Sequence, residues 1–187
     1  MLKKMDNSIV LGLVSLLISG CATMNYQQEM APIEQHRSMI AQWENEFQIS
    51  DYPKKMQMLK TKIASQVQSE KSVLESISMQ WNQSIHSGGS FGYDIAQGLA
   101  SAEAGGWVEI YRMYFSSLKK AMSEIGNPPT KYSKAYDLLL EIYSIYSQLY
   151  SLARSPQGSY VSFNKTVNDL SLEFEKGFNK LDVLLPQ

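Results

Sequence analysis

Two interleaved apolar seams in residues 130–154 limit the possible folds more than any other feature of the chain. Ala135, Leu138, Ile142, Ile145, Leu149 and Leu152 recur at steps of three and four, and Tyr132, Tyr136, Leu139, Tyr143, Tyr146, Tyr150 and Ala153 recur beside them. On a helix, at about 100° per residue, the stripes lie roughly a quarter-turn apart. Ser133, Asp137, Glu141, Ser144, Gln148 and Ser151 are left facing water. A helix with so wide an apolar arc has to pack against two neighbours.

The rest of the chain can supply them. Pro32, Asp51-Tyr52-Pro53, the SGGSFGYD stretch at 87–94, Gly126-Asn127-Pro128-Pro129-Thr130 and Ser155-Pro156-Gln157-Gly158 separate segments of helical periodicity. The expected helices are 32–49, 53–86, 94–125, 130–154 and 159–184. Pro53 after Asp51, Asp94, Thr130 and Ser159 supply the start signals. The second helix shows a stripe of Leu59, Ile63, Val67, Leu74, Ile77, Trp81 and Ile85, interrupted by Gln66 and Glu70. The third shows Trp107, Tyr111, Tyr114, Leu118, Met122 and Ile125, and the fifth Phe163, Val167, Leu170, Phe174, Leu181 and Leu184, with Phe178 beside them. Short connections make successive helices antiparallel neighbours. The expected fold is all-α, an antiparallel up-and-down bundle of four to five helices occupying residues 32–187.

The N-terminal segment has a different composition. MLKKMDNS carries Lys3 and Lys4, IVLGLVSLLI is an apolar run, and Ser19-Gly20-Cys21 follows. A basic start, a short apolar core and small residues at the exit are the layout of a secretory signal peptide. The run is about half of the roughly 20 residues a membrane-spanning helix needs. Ile18-Ser19-Gly20-Cys21 resembles the lipobox of bacterial lipoproteins. The resemblance covers residues 1–21 only. It implies that 1–20 are removed, that Cys21 receives a diacylglyceryl group, and that the new amino terminus is acylated. Residues 21–31 then form a lipidated terminus and short linker. By that family's sorting rule, Ala22 rather than Asp after the cysteine implies the outer membrane, with the domain in the periplasm.

Cys21 is the one cysteine of the 187 residues, so no disulfide can form within the chain. Without Lys3, Lys4 and Asp6, the 17 basic and 18 acidic residues become 15 and 17, a net charge of −2. No basic cluster stands out to suit a nucleic acid. The two histidines, His36 and His86, form no Glu-x-x-His motif, and both read as cap or surface residues. No Gly-x-Ser-x-Gly, HExxH or phosphate-cradling loop is present, so neither a catalytic set, a metal nor a cofactor is expected.

Two features point instead to surfaces. Six glycines fall within residues 87–107, where small residues either let a neighbouring helix approach or leave a docking or hinge site. The tyrosines of 132–150 suit either a core margin or an interface. The partner-binding residues expected from these features are Phe91, Tyr93, Trp107, Tyr136, Tyr143 and Tyr150. The expected function is that of a membrane-anchored envelope lipoprotein that binds another envelope protein as an assembly or stability factor. The alternative is a module for a small apolar or lipid-like ligand, held among Tyr111, Tyr114, Tyr143 and Tyr146.

Overall fold

The computed structural model describes residues 26–185, without the side chains of 26–31, 93 and 94. The expected signal peptide, Cys21 and residues 22–25 lie outside the described residues. Six α-helices account for nearly all of the rest: α1 (Tyr26–Ile49), α2 (Tyr52–Ser87), α3 (Phe91–Ala104), α4 (Trp107–Glu124), α5 (Ser133–Arg154) and α6 (Tyr160–Leu184). A single 3-10 turn, Thr130–Tyr132, precedes α5. Among the described residues there is no strand, and the all-α bundle follows.

Local chemistry sets the helix ends. The Asp51 carboxylate accepts from the Lys54 amide at 3.0 Å, and Pro53 occupies the first turn of α2, where its missing N–H costs nothing. Ser159 and Ser162 bond reciprocally across the first turn of α6. The expected third helix is divided: Gly106 takes a φ of +73° and turns the chain between α3 and α4. A side chain there would meet Ile33, whose Cδ1 would lie 2.5 Å from an added Cβ, so α1 seats directly on this corner. At the other end of the expected third helix, α3 begins at Phe91 rather than Asp94, with Ser90 in the cap position. α1 starts six residues before the expected position and contains Pro32, so the expected linker of 21–31 is helical from Tyr26 onward.

Cross-helix contacts give the directions. Lys60 meets Asp182, Lys71 meets Glu175, Ser78 bonds Asn164, and Trp81 packs on Phe163, so α2 and α6 are antiparallel. Tyr52 stacks on Tyr132 while Glu70 meets Arg154, so α2 and α5 run parallel. His36 reaches Tyr114 and Gln48 reaches Glu124, so α1 and α4 are also parallel. The chain therefore rises and falls as five rods, the third broken into α3 and α4. α2 is the central rod, packed against each of the other five helices.

The seams of α5 behave as their spacing requires. Ala135, Leu139, Ile142, Ile145, Tyr146, Leu149 and Ala153 are buried, while Leu138, Leu152, Tyr132, Tyr136, Tyr143 and Tyr150 are half-buried. Ser133, Asp137, Glu141, Ser144, Gln148 and Ser151 are exposed. Two expected core positions are exposed: Ile85 lies near the end of α2, and Leu184 faces away from the core while Leu185 beside it is buried. A smaller cluster of Ile40, Ile110 and Tyr114, flanked by Ile33, Trp107 and Met113, joins α1 to α4 apart from the main core.

Leu149→Ala should destabilise the domain by about 2–5 kcal/mol through the cavity it leaves, and Gln148→Ala by less than about 0.5 kcal/mol, as read from urea midpoints. Equal effects from the two substitutions would contradict this packing.

Candidate functional site

Gln66 and Glu70 interrupt the apolar stripe of α2, yet both are buried and Glu70 has no exposed surface. One turn of α2 separates them, so both lie on the same face of that helix. Arg154, in the last turn of α5, donates from Nη1 to Glu70 Oε2 at 2.9 Å and to its own helix's Tyr150 carbonyl at 2.7 Å. Its guanidinium stacks 3.5 Å from the Tyr150 ring centroid and 5.0 Å from that of Tyr111 on α4. Burial pushes the Glu70 carboxyl above the usual carboxylate range, and the bond and charge of Arg154 oppose that rise. Burial, together with the Glu70 charge, raises the Tyr111 phenol to about 12 and raises the Tyr146 phenol as well.

This group has spare hydrogen-bonding capacity. Glu70 Oε1, Gln66 Oε1, the Tyr146 hydroxyl and Arg154 Nε are buried with no hydrogen-bond partner among the described residues. Such groups cost free energy, so the cluster is held in place by the packing around it. Its chemistry is that of a buried, charge-paired clasp between α2, α4 and α5. The interruption of an otherwise regular stripe by Gln66 and Glu70 was the sequence signal for it; nothing comparable marked Arg154 as the counter-charge.

The residues expected to bind a partner fall into separate groups. Phe91 stacks on Trp81 with ring centroids 3.6 Å apart. Trp107 packs edge-on against His36 of α1. Tyr143 and Tyr150 flank Phe115, the latter at 4.1 Å. Tyr136 lies near Gly126, at the opposite end of the bundle from Phe91. The side chain of Tyr93 lies outside the described residues. These side chains do not form one continuous patch. Nor do Tyr111, Tyr114, Tyr143 and Tyr146 enclose a ligand space: Tyr146 is fully buried, Tyr114 bonds His36, and Tyr111 lies under Arg154. Depressions open elsewhere. An open furrow of about 450 Å³ runs between α5 and α6, lined by Glu141, Ser144, Gln148, Glu173, Lys176 and Lys180 among others. A slot of about 60 Å³ lies between α2 and α3.

His36 is not the surface residue its polar surroundings in the sequence suggested. In the Nε2-protonated tautomer its Nδ1 accepts from the Tyr114 hydroxyl at 3.0 Å, and its ring meets Trp107 and Tyr114 edge-on. Lys62 Nζ lies 4.4 Å from the Tyr114 ring centroid. Burial first, and the Lys62 charge second, hold the His36 imidazole below its ordinary pKa of 6.5. His86 is exposed at the end of α2, its Nδ1 2.7 Å from the Asn82 carbonyl. Among the described residues, no three His, Cys, Asp or Glu side chains come together as metal ligands, and no helix is long and apolar enough to cross a membrane. No family model matches the chain, and no curated protein or solved structure matches it.

Arg154→Ala leaves a carboxylate in the core without its counter-charge and should cost about 3–5 kcal/mol in urea unfolding. Glu70→Gln keeps an acceptor for Arg154 while removing the buried charge, and should change stability by less than about 1.5 kcal/mol. Comparable losses in the two variants would show that the carboxylate charge itself is required.

The two titrating groups act with opposite signs. Glu70, raised in the fold, favours the folded state at low pH, and that contribution is lost as pH rises through its folded value. His36, lowered in the fold, contributes stability that is present above its unfolded pKa of about 6.5 and lost as pH falls through the lower folded value. His36→Phe should therefore be less sensitive than the parent to acidification from about pH 7 to pH 5, by urea midpoint. An identical pH response in parent and variant would remove His36 as a contributor.

Proposed function

We propose that this chain is a lipid-anchored protein of the bacterial cell envelope. Its helical domain, in the periplasm and held at the outer membrane, binds another envelope protein as an assembly or stability factor. The observation that carries this reading is Ile18-Ser19-Gly20-Cys21 behind a basic start and an apolar run, four residues before a helix that packs into the bundle. Two acyl chains or more hold a protein stably at a bilayer, whereas a single chain does so only marginally.

The physical character of the domain favours an interaction role. Its core is mostly apolar, and its buried charges, Lys60 and Glu70, pair with Asp182 and Arg154. Its open furrow between α5 and α6 carries both acidic and basic side chains, as the rim of a protein contact does. A partner would sit within reach of the bilayer, because only residues 22–25 separate Cys21 from α1.

Cys21→Ser should abolish acyl labelling and release the protein from the membrane fraction. Photo-crosslinkers at Gln148 and Lys176 of the anchored protein should capture one envelope protein in common, and Cys21→Ser should weaken that capture. Retention of the Cys21→Ser protein in membranes would refute the anchor. Absence of any shared crosslink in the anchored protein would refute the proposed surface.

A further inference from the structure

We propose that the end of the bundle formed by the α2–α3 and α5–α6 turns rests on the same bilayer that holds the anchor. This inference depends on the lipidation of Cys21 proposed above.

Trp81 brings the two turns together. Its ring stacks on Phe91, the first residue of α3, and meets Tyr160, the first residue of α6, at 6.2 Å. Just beyond that stack, two large apolar side chains point outward: Ile85 is 55% exposed and Val161 is 75% exposed. Ile85 continues the core stripe of α2 near the end of that helix. The surface around both is poor in positive charge, with no Lys or Arg from 72 to 111 or from 155 to 164. A contact made here would be apolar rather than electrostatic, as when exposed side chains enter the boundary between headgroups and acyl chains.

The anchor leaves little choice about which end faces the membrane. α1 runs antiparallel to α2, so its N-terminus points toward this end. Lys62 of α2 meets both Tyr114 of α4, which bonds His36, and Trp43 of α1, so its level on α1 falls between His36 and Trp43. From Lys62 to Ser87 the α2 axis rises roughly 37 Å, whereas from that level back to Tyr26 α1 rises only about 15–25 Å. The stretch from Tyr26 to Cys21 can add at most about 17 Å even when fully extended. The lipidated residue therefore reaches about the level of the α2 end and cannot extend far past it. An upright bundle on so short a tether presses Ile85 and Val161 into the surface of the bilayer.

The test uses the acylated full chain in phosphatidylethanolamine–phosphatidylglycerol vesicles. An environment-sensitive fluorophore is attached in separate variants at Ile85→Cys, Val161→Cys, Asn127→Cys or Gln148→Cys, and a nitroxide-bearing lipid serves as quencher. The acylated Cys21 has no free thiol to compete for the label. Labels at 85 and 161 should shift to the blue and be quenched, those at 127 and 148 should do neither, and high salt should leave the pattern unchanged. An acylated, vesicle-bound chain with aqueous labels at 85 and 161 overturns this proposal and leaves the anchor standing. Equal quenching at 148 means that the bundle lies on its side, and equal quenching at 127 that the other end is down; either overturns it too. A chain without acylation at Cys21, seen by intact mass, overturns the anchor and this proposal together.

Discussion

The arrangement of the bundle centres on a side-chain pair, Glu70 and Arg154, of which Glu70 has no exposed surface. Glu70 sits midway along α2, and its charged partner among the described residues, Arg154, comes from the end of α5. A buried carboxylate is costly without a counter-charge, and Arg154 supplies one through a single bond, while Glu70 Oε1 and Arg154 Nε keep no hydrogen-bond partner among the described residues. With the Tyr52–Tyr132 stack at the start of both helices, this pair fits α5 running parallel to α2. The α5 seam then brings Tyr146 into the core, with Tyr150 under the guanidinium, while α4 closes the site with Tyr111. α6 completes the bundle, close enough to α5 that a Cβ on Gly177 would lie 2.8 Å from Ile142.

Around that centre the attachments weaken. α1 is held at its lower end by Phe47, in the main core, but its upper half depends on a small satellite cluster and on His36. α3 is the most loosely held: Ala96, Ala100 and Ala104 face water, and Gly98 and Ala102 offer α2 little apolar area. Helices with few large buried side chains open first. These two elements lie on the side of the bundle that leads to the N-terminus, so the parts nearest the proposed anchor are also the least firmly packed.

Much of the architecture was legible in the chain because periodicity and breakers agreed. The exposed face of α5 could be read residue by residue, and Asp51 and Ser159 mark helix starts where they were expected. The less legible features depend on which helices become neighbours. Gly105-Gly106 divides the third helix because only a residue tolerant of positive φ allows the corner on which Ile33 sits, and Ile33 is distant in sequence. His36 read as a surface residue because Glu34, Gln35 and Arg37 surround it, yet its own face meets α4. Ile85 read as core because it keeps the spacing of its stripe, but near the end of α2 its neighbours leave it exposed. The aromatic residues grouped as one surface separate for the same reason. Composition made each suitable for an interface, whereas contiguity depends on tertiary neighbours that local spacing does not encode.

If α2 is the element on which the others rely, its middle must be the last part of the chain to open. Native-state hydrogen exchange measures this directly. The slowest amides should lie in residues 59–77 of α2 and in the facing turns of α5, while 91–104 exchange fastest among the helices and 30–40 faster than 59–77. Protection in α3 equal to that in the middle of α2, or slowest exchange in α1, would contradict a bundle organised around Glu70 and its helix.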